Sequence, residues 1–240
     1  MKIIVPMAGV GDRFIKAGYV DPKPLIEVNG KRIIEYIIEM FDIENDEFVF
    51  VINQHHSTNT NIIEIINKLV KNSEIHIIPN NKKGPVYTLK NLDIKDDEEV
   101  IVTYCDNPYL WDYNDFKESI KNSDGCILSH VGFHPHRLSP TFMAHIKEDN
   151  GRLIEIKEKE PYTDKPIEEH ASTGTYYFAK GEYVKKYFNE LMDLDINYNG
   201  EYYVTLVYNL MVRDGLNVTI YDTDYVSVFG TPEEVKNFEA

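Results

Sequence analysis

Cysteine is scarce in this 240-residue chain: Cys105 and Cys126 are the two, and they form no Cys-x-x-Cys pair. That excludes a disulfide-stapled scaffold and fits a reduced, cytoplasmic setting. Basic residues are few as well, 25 Lys and Arg against 40 Asp and Glu, for a formal net charge of −15. A chain so acidic lacks the basic face that broad nucleic-acid or anionic-membrane binding needs, so neither is an expected partner. No apolar run reaches transmembrane length, and no secretory leader is expected. Of the eight histidines, none stands in a His-Glu-x-x-His or in a pair with structural-zinc spacing, so zinc is not expected either. Linkers, internal repeats and low-complexity tracts are missing, which predicts one domain over residues 1–240.

What is present is ordinary for a soluble globular chain, 42% hydrophobic and 27% charged, and long enough to bury a good core. The distinctive stretch is the first thirty residues. Lys2-Ile3-Ile4-Val5 reads as a buried strand, followed by Met7-Ala8-Gly9-Val10-Gly11-Asp12-Arg13-Phe14 and Pro22-Lys23-Pro24-Leu25. Residues Lys31 to Phe41 then read as a helix. A glycine-rich bend between strand and helix lets backbone N–H groups approach a polyphosphate, and Arg13 and Lys23 add two cations to the same loop. Phe14 stands where a dinucleotide fingerprint has its third glycine, and no Gly-Lys-Ser/Thr follows, so a Rossmann dehydrogenase and a P-loop are both disfavoured.

Further strands are predicted at Glu47–Ile52, Glu74–Ile78 and Glu99–Tyr104, with helices at Asn61–Val70 and Tyr87–Leu92. The second half reads as strands at 126–133, 142–147, 153–159 and 173–179, helices at 182–192 and 202–213, a strand at 217–221, and a capped helix start at Thr231-Pro232-Glu233-Glu234. Such alternation predicts an α/β protein, a Rossmann-like three-layer sandwich whose central sheet is mixed but largely parallel. Ligands in that architecture sit outside the carboxyl ends of the strands, where the first loop, residues 79–84 and Asp106 all fall. Asp106, at a strand end on the phosphate side, is suited to holding Mg²⁺, which prefers oxygen ligands together with substrate phosphates.

Strand, Ala-Gly-x-Gly-x-Arg-Phe and Pro-Lys-Pro-Leu together resemble the signature of the sugar-phosphate nucleotidyltransferases, with Asp12 the local departure where Thr or Ser is usual. The resemblance runs from Lys2 to about Pro232, and it is strongest to single-domain cytidylyltransferase-like members that serve capsule and surface polysaccharides. It implies the GT-A-like nucleotidyltransferase fold, with a nucleotide-binding half at about 1–110 and an acceptor-binding half at about 111–240. It implies that Arg13, Lys23 and Asp106 are catalytic and that Met7, Ala8, Gly9, Gly11, Asn80, Asn81 and Gly84 line the nucleotide. The Glu158-Lys159 element implies that Lys159 binds the acceptor's phosphate, with Gly174 and Glu201 beside it. Asp106 is the implied first metal ligand. The second usually lies two residues before Gly-Thr, but Val228 occupies that place, which leaves Asp224 as the first choice, Asp222 as the next, or Asp106 with water and phosphates alone.

The expected reaction is transfer of a nucleoside monophosphate, CMP from CTP first and UTP or dTTP next, to a small phosphorylated acceptor. A sugar phosphate, a polyol phosphate, phosphocholine and phosphoglutamine all stay open as acceptors, and a homodimer stays open as assembly. An acceptor phosphate is already anionic, so no Ser-His-Asp or other activating base is needed. Two rivals remain: a GT-A-like glycosyltransferase, for which Cys105-Asp106-Asn107 lacks the second Asp, and a non-catalytic regulatory homologue, which Val228 favours.

Overall fold

The structure is a computed structural model, and it describes residues 1–138 and 143–239. β1 (Lys2–Met7) leads through the glycine loop into α1 (Asp12–Lys16), and a small hairpin, β2 (Glu27–Val28) and β3 (Lys31–Arg32), precedes α2 (Ile33–Ile38). Then come β4 (Glu47–Asn53), α3 (Gln54–Asn59), α4 (Ile62–Leu69), β5 (Glu74–Ile78), α5 (Gly84–Leu89) and β6 (Val100–Thr103). The second half holds β7 (Tyr109–Leu110), α6 (Tyr113–Ser119), β8 (Gly125–His130), β9 (His145–Asp149), β10 (Arg152–Lys157) and β11 (His170–Phe178). It closes with α7 (Gly181–Asp193), α8 (Val204–Arg213), β12 (Val218–Asp222), β13 (Tyr225–Val226) and α9 (Pro232–Glu239).

Among the described residues, nine strands form one sheet in the order β5-β4-β1-β6-β11-β8-β12-β10-β9. The pairs β4–β5, β1–β4 and β1–β6 are parallel, as crossover helices demand. From β6 onward the parallel character is lost: β11 runs antiparallel to β6, β8 and β9, and only β8–β12 is parallel there. The sheet is therefore mixed, and the largely parallel expectation holds only for its first half. β9 and β10 are joined by a tight turn at Asn150-Gly151, which can only reverse the chain.

Side chains alternate across β1. Ile3, Val5 and Met7 pack on one face with α2, α4 and α6, and Ile4 packs on the other with α5, α7 and α8. Two helix layers thus cover the sheet, and each fully buried aliphatic contributes about 1.5–3 kcal/mol. A third, smaller cluster of Phe14, Ile26, Val28, Ile33, Phe229 and Val235 ties α1, the hairpin and α9 together at one end. Lys31 and Arg32 do not begin the helix: they pair with Val28 and Glu27, and the Ile33 N–H donates to the Ile26 carbonyl at 3.0 Å. The predicted strand beginning at 142 is seen from His145, its first residue lying outside the described ones. No helix among the described residues is long and apolar enough to cross a membrane.

Candidate active site

The carboxyl ends of β1 and β6 open on one cavity of about 560 Å³, with the end of β4 alongside β1. Gly11, with φ +76°, takes the left-handed backbone that ends the loop and starts α1. The loop is held from below by Asn53, at the end of β4 and 1% exposed, whose side-chain amide donates to the Ala8 carbonyl at 3.0 Å. The same Asn53 accepts from the His56 N–H at 2.8 Å and so caps α3. Pro22 and Pro24 fix a 3₁₀ turn on which Lys23 is carried. Its ammonium forms an ion pair with Asp106. Met7, Ala8, Gly9, Gly11, Arg13, Lys23 and Asp106 all line the cavity.

A second wall comes from the segment before α5. Lys82 reaches across to Asp12 at 2.9 Å, and this exposed contact holds the Asp12 carboxyl below its ordinary pKa, through the hydrogen bond first and the charge second. Asn81 and Gly84 line the cavity, whereas Asn80 is exposed and does not. Asn81 accepts from the Lys83 N–H at 3.0 Å, so part of its side chain is spent on the turn itself. Gly84, at φ +86°, lies against the backbone of Tyr202; Tyr202 N–H donates to Lys83 O at 2.9 Å and Val86 N–H to Tyr202 O at 3.1 Å.

Across the cavity, Lys159 follows β10 with φ 58°, a backbone form uncommon for a residue with a Cβ. That turn aims its ammonium at the Tyr203 hydroxyl, 2.6 Å away, and Tyr203 in turn donates to Glu201 at 3.0 Å. Glu158 lies 3.7 Å from the same ammonium and accepts from Thr205 at 2.7 Å; burial raises its pKa against both partners. Gly174 and Glu201 line this end, as does His136, which burial first and the neighbouring His134 and Arg137 next hold down at about 4. Cys105 also faces the cavity, but burial pushes its thiol up to about 12, which favours the protonated, unreactive form.

The structure thus brings the site residues named from the sequence to one cavity except Asn80, Asp222 and Asp224. Asp224 is exposed in the turn between β12 and β13, its N–H bonded to Leu110 O, and it does not reach the cavity. Asp222 is taken by Ser129 at 2.5 Å and His170 at 2.9 Å. Residues given no site role in the sequence are Asn53, Glu158, Tyr203 and Glu234. Asn53, ending a β-branched strand at the ligand-bearing edge, carried a legible signal. Glu234 was read only as a helix cap. The Phe229 N–H donates to Asp106 O at 2.8 Å, which lays the C-terminal segment along Asp106 and brings Val228, Gly230 and Glu234 into the cavity wall.

The family description "nucleotidyl transferase" matches residues 2–204. The bifunctional protein GlmU of Bartonella bacilliformis is 23% identical over 240 residues, covering 99% of this chain and 51% of the relative. The chain spans about half the length of that curated relative. Among solved structures, a nucleoside-diphosphate-sugar pyrophosphorylase from Vibrio cholerae RC9 superposes with a TM-score of 0.78 at 23% identity, covering 99% of each chain. The inositol-1-phosphate CTP transferase from T. maritima superposes with a TM-score of 0.70 at 16% identity, over 99% of this chain and 93% of the other. At such identities these likenesses speak for the fold, and the fold agrees with what the match over residues 2–204 establishes: the chain belongs to the nucleotidyl transferase family.

Proposed function

We propose that this protein transfers a nucleoside monophosphate, CMP from CTP, to a small phosphorylated acceptor and releases pyrophosphate, supplying an activated precursor for a surface polysaccharide. The observation that carries the reading is one cavity lined at one end by the glycine loop, Arg13 and Lys23 and at the other by Lys159. Residues 1–110 then serve the nucleotide and 111–240 the acceptor.

An oxygen of the acceptor phosphate attacks the α-phosphorus, the new P–O bond forms, and the bond to the β-phosphate breaks with its electron pair leaving on pyrophosphate. No proton need be removed from the nucleophile, so the chain's work is alignment and charge neutralisation. Three cations of the cavity already rest on carboxylates: Lys82 on Asp12, Lys23 on Asp106 and Lys159 beside Glu158. Incoming phosphates take over these cations, so the sites are preformed and not left as bare positive charge. Asp106 offers the hard oxygen donor that suits Mg²⁺, and the Lys23 ammonium already occupies a cation's place on it. When bound there, Mg²⁺ would polarise phosphoryl oxygens. Asn81 and the short wall up to Gly84 suit edge-on reading of a pyrimidine, and the family resemblance to cytidylyltransferases favours CTP over UTP and dTTP.

Pyrophosphate release measured with CTP, UTP, dTTP, ATP and GTP against a panel of phosphorylated acceptors tests the reading. Release dependent on both CTP and a phosphorylated acceptor is expected. Fastest release with a purine triphosphate would overturn the base assignment, and no release with any pair would favour a regulatory binder.

A further inference from the structure

We infer that Glu234, from the first turn of α9, is the second carboxylate of the divalent-cation site, paired with Asp106 in the role that Val228 cannot fill. The inference rests on the nucleotidyl-transfer reading above. The two carboxylates face the same point. Asp106 Oδ2 lies 4.0 Å and Glu234 Oε2 3.2 Å from where a Cβ on Gly230 would sit, and a Val228 methyl lies 3.7 Å from it. Gly230 is the residue between them, and its missing side chain leaves the gap open.

Charge makes the arrangement informative. The wall of a cavity that must receive a polyphosphate holds two neighbouring carboxylates here, and the Lys23 ammonium is paired with that of Asp106. Two anions beside a phosphate site repel the phosphates unless a divalent cation balances them. A helix cap alone does not call for this placement. The Thr231 hydroxyl donates to Glu234 Oε2 at 2.9 Å and accepts from the Glu234 N–H at 3.2 Å, which is the capping contact. A carboxylate has about four acceptor sites, and this contact fills one of them. Phe229 and Val235, both buried in the small cluster with Phe14, fix the start of α9 against the phosphate loop, so the carboxylate is held where it stands.

The probe is Mn²⁺, whose free-ion EPR signal falls on binding, titrated into the full chain alone and again with CTP. Glu234→Gln is the informative variant, because glutamine retains the capping contact and so leaves Tm in place. Its Mn²⁺ dissociation constant is expected to rise about tenfold or more, and Val228→Asp added to Glu234→Gln is expected to recover most of that loss. Asp106→Asn is titrated in parallel. Weakened binding in Asp106→Asn with wild-type binding in Glu234→Gln would overturn this inference and leave the cation site standing. Wild-type binding in both variants, or no Mn²⁺ bound by the wild type, would overturn the site itself. A Glu234→Gln loss that comes with a lowered Tm and is not recovered by Val228→Asp assigns Glu234 to the cap alone.

Discussion

Replacing Gly84 with alanine strikes the joint between the two ends of the cavity. At φ +86° an L-residue is strained, and a Cβ there would meet Tyr202 N and O at 2.7 Å each and Tyr202 C at 3.1 Å. Those are backbone atoms tied by two hydrogen bonds to residues 83 and 86, so they cannot swing aside as a side-chain tip would. The left-handed conformation alone costs about 1–2 kcal/mol, and forcing a methyl into a packed contact adds about 1–3 kcal/mol. Gly215, at φ +82° with nothing within 4 Å among the described residues, isolates the first contribution. Gly215→Ala should therefore lose about 1–2 kcal/mol and Gly84→Ala about 2–5 kcal/mol, read from urea unfolding midpoints at constant slope. Tyr202 lies between Glu201 and Tyr203 of the acceptor end, so KM for nucleotide and for acceptor should rise together in Gly84→Ala and in neither case for Gly215→Ala. Equal destabilisation of the two variants would refute the collision, and an unchanged KM for acceptor would refute the coupling.

Asp106→Asn should lower kcat about a hundredfold or more while Tm holds, because the phosphoryl-side charge stabilisation at stake is several kcal/mol; steady-state rates across a Mg²⁺ series check it, and near-normal turnover would place the cation elsewhere. Lys159→Ala should cut kcat/KM for acceptor about thirtyfold or more with KM for nucleotide unchanged, since truncating a half-buried charge partner costs about 2–5 kcal/mol. Burial, reinforced by neighbouring His and Arg, holds His136 down at about 4 and His130 at about 2. The unfolded chain, with histidines near ~6.5, therefore binds more protons. Stability should fall as pH drops from about 6.5 toward 4, by up to about 2.7 kcal/mol per pH unit for the pair. Urea midpoints between pH 7 and 4.5 test this, and a His130→Gln/His136→Gln variant with the same slope would refute it.

The parallel half of the sheet was legible because β1, β4 and β6 are short β-branched runs separated by helical periodicity, and each is buried on both faces. That Arg13, Lys23, Asp106 and Lys159 would line one cavity was legible because their motifs lie at element ends, where chain geometry leaves few directions for a side chain. The role of β11 was not legible. Its pairing with β6, β8 and β9 joins residues far apart in sequence, and nothing local in Thr173–Phe178 specifies a neighbour. Asn80 and Asp224 went astray for the same kind of reason: each sits in a turn, where a shift of one residue reverses which side chain faces inward. Glu234 satisfied a helix-start pattern so fully that the sequence offered no cause to look for a second use.

Because β11 closes the sheet beside β6, the order of synthesis matters. When residues 2–103 have left the ribosome, β5, β4, β1 and β6 can assemble, yet the β6 flank that later meets β11 still presents unpaired peptide groups. At roughly 5–20 residues per second, that flank stays bare for several seconds, until the stretch through Phe178 emerges. The nascent protein thus carries a sticky ledge made of Val100, Ile101 and Val102 through the middle of its translation. Slow codons between residues 104 and 170 would lengthen that exposure and raise the demand for a holding chaperone, while leaving the finished enzyme unaltered.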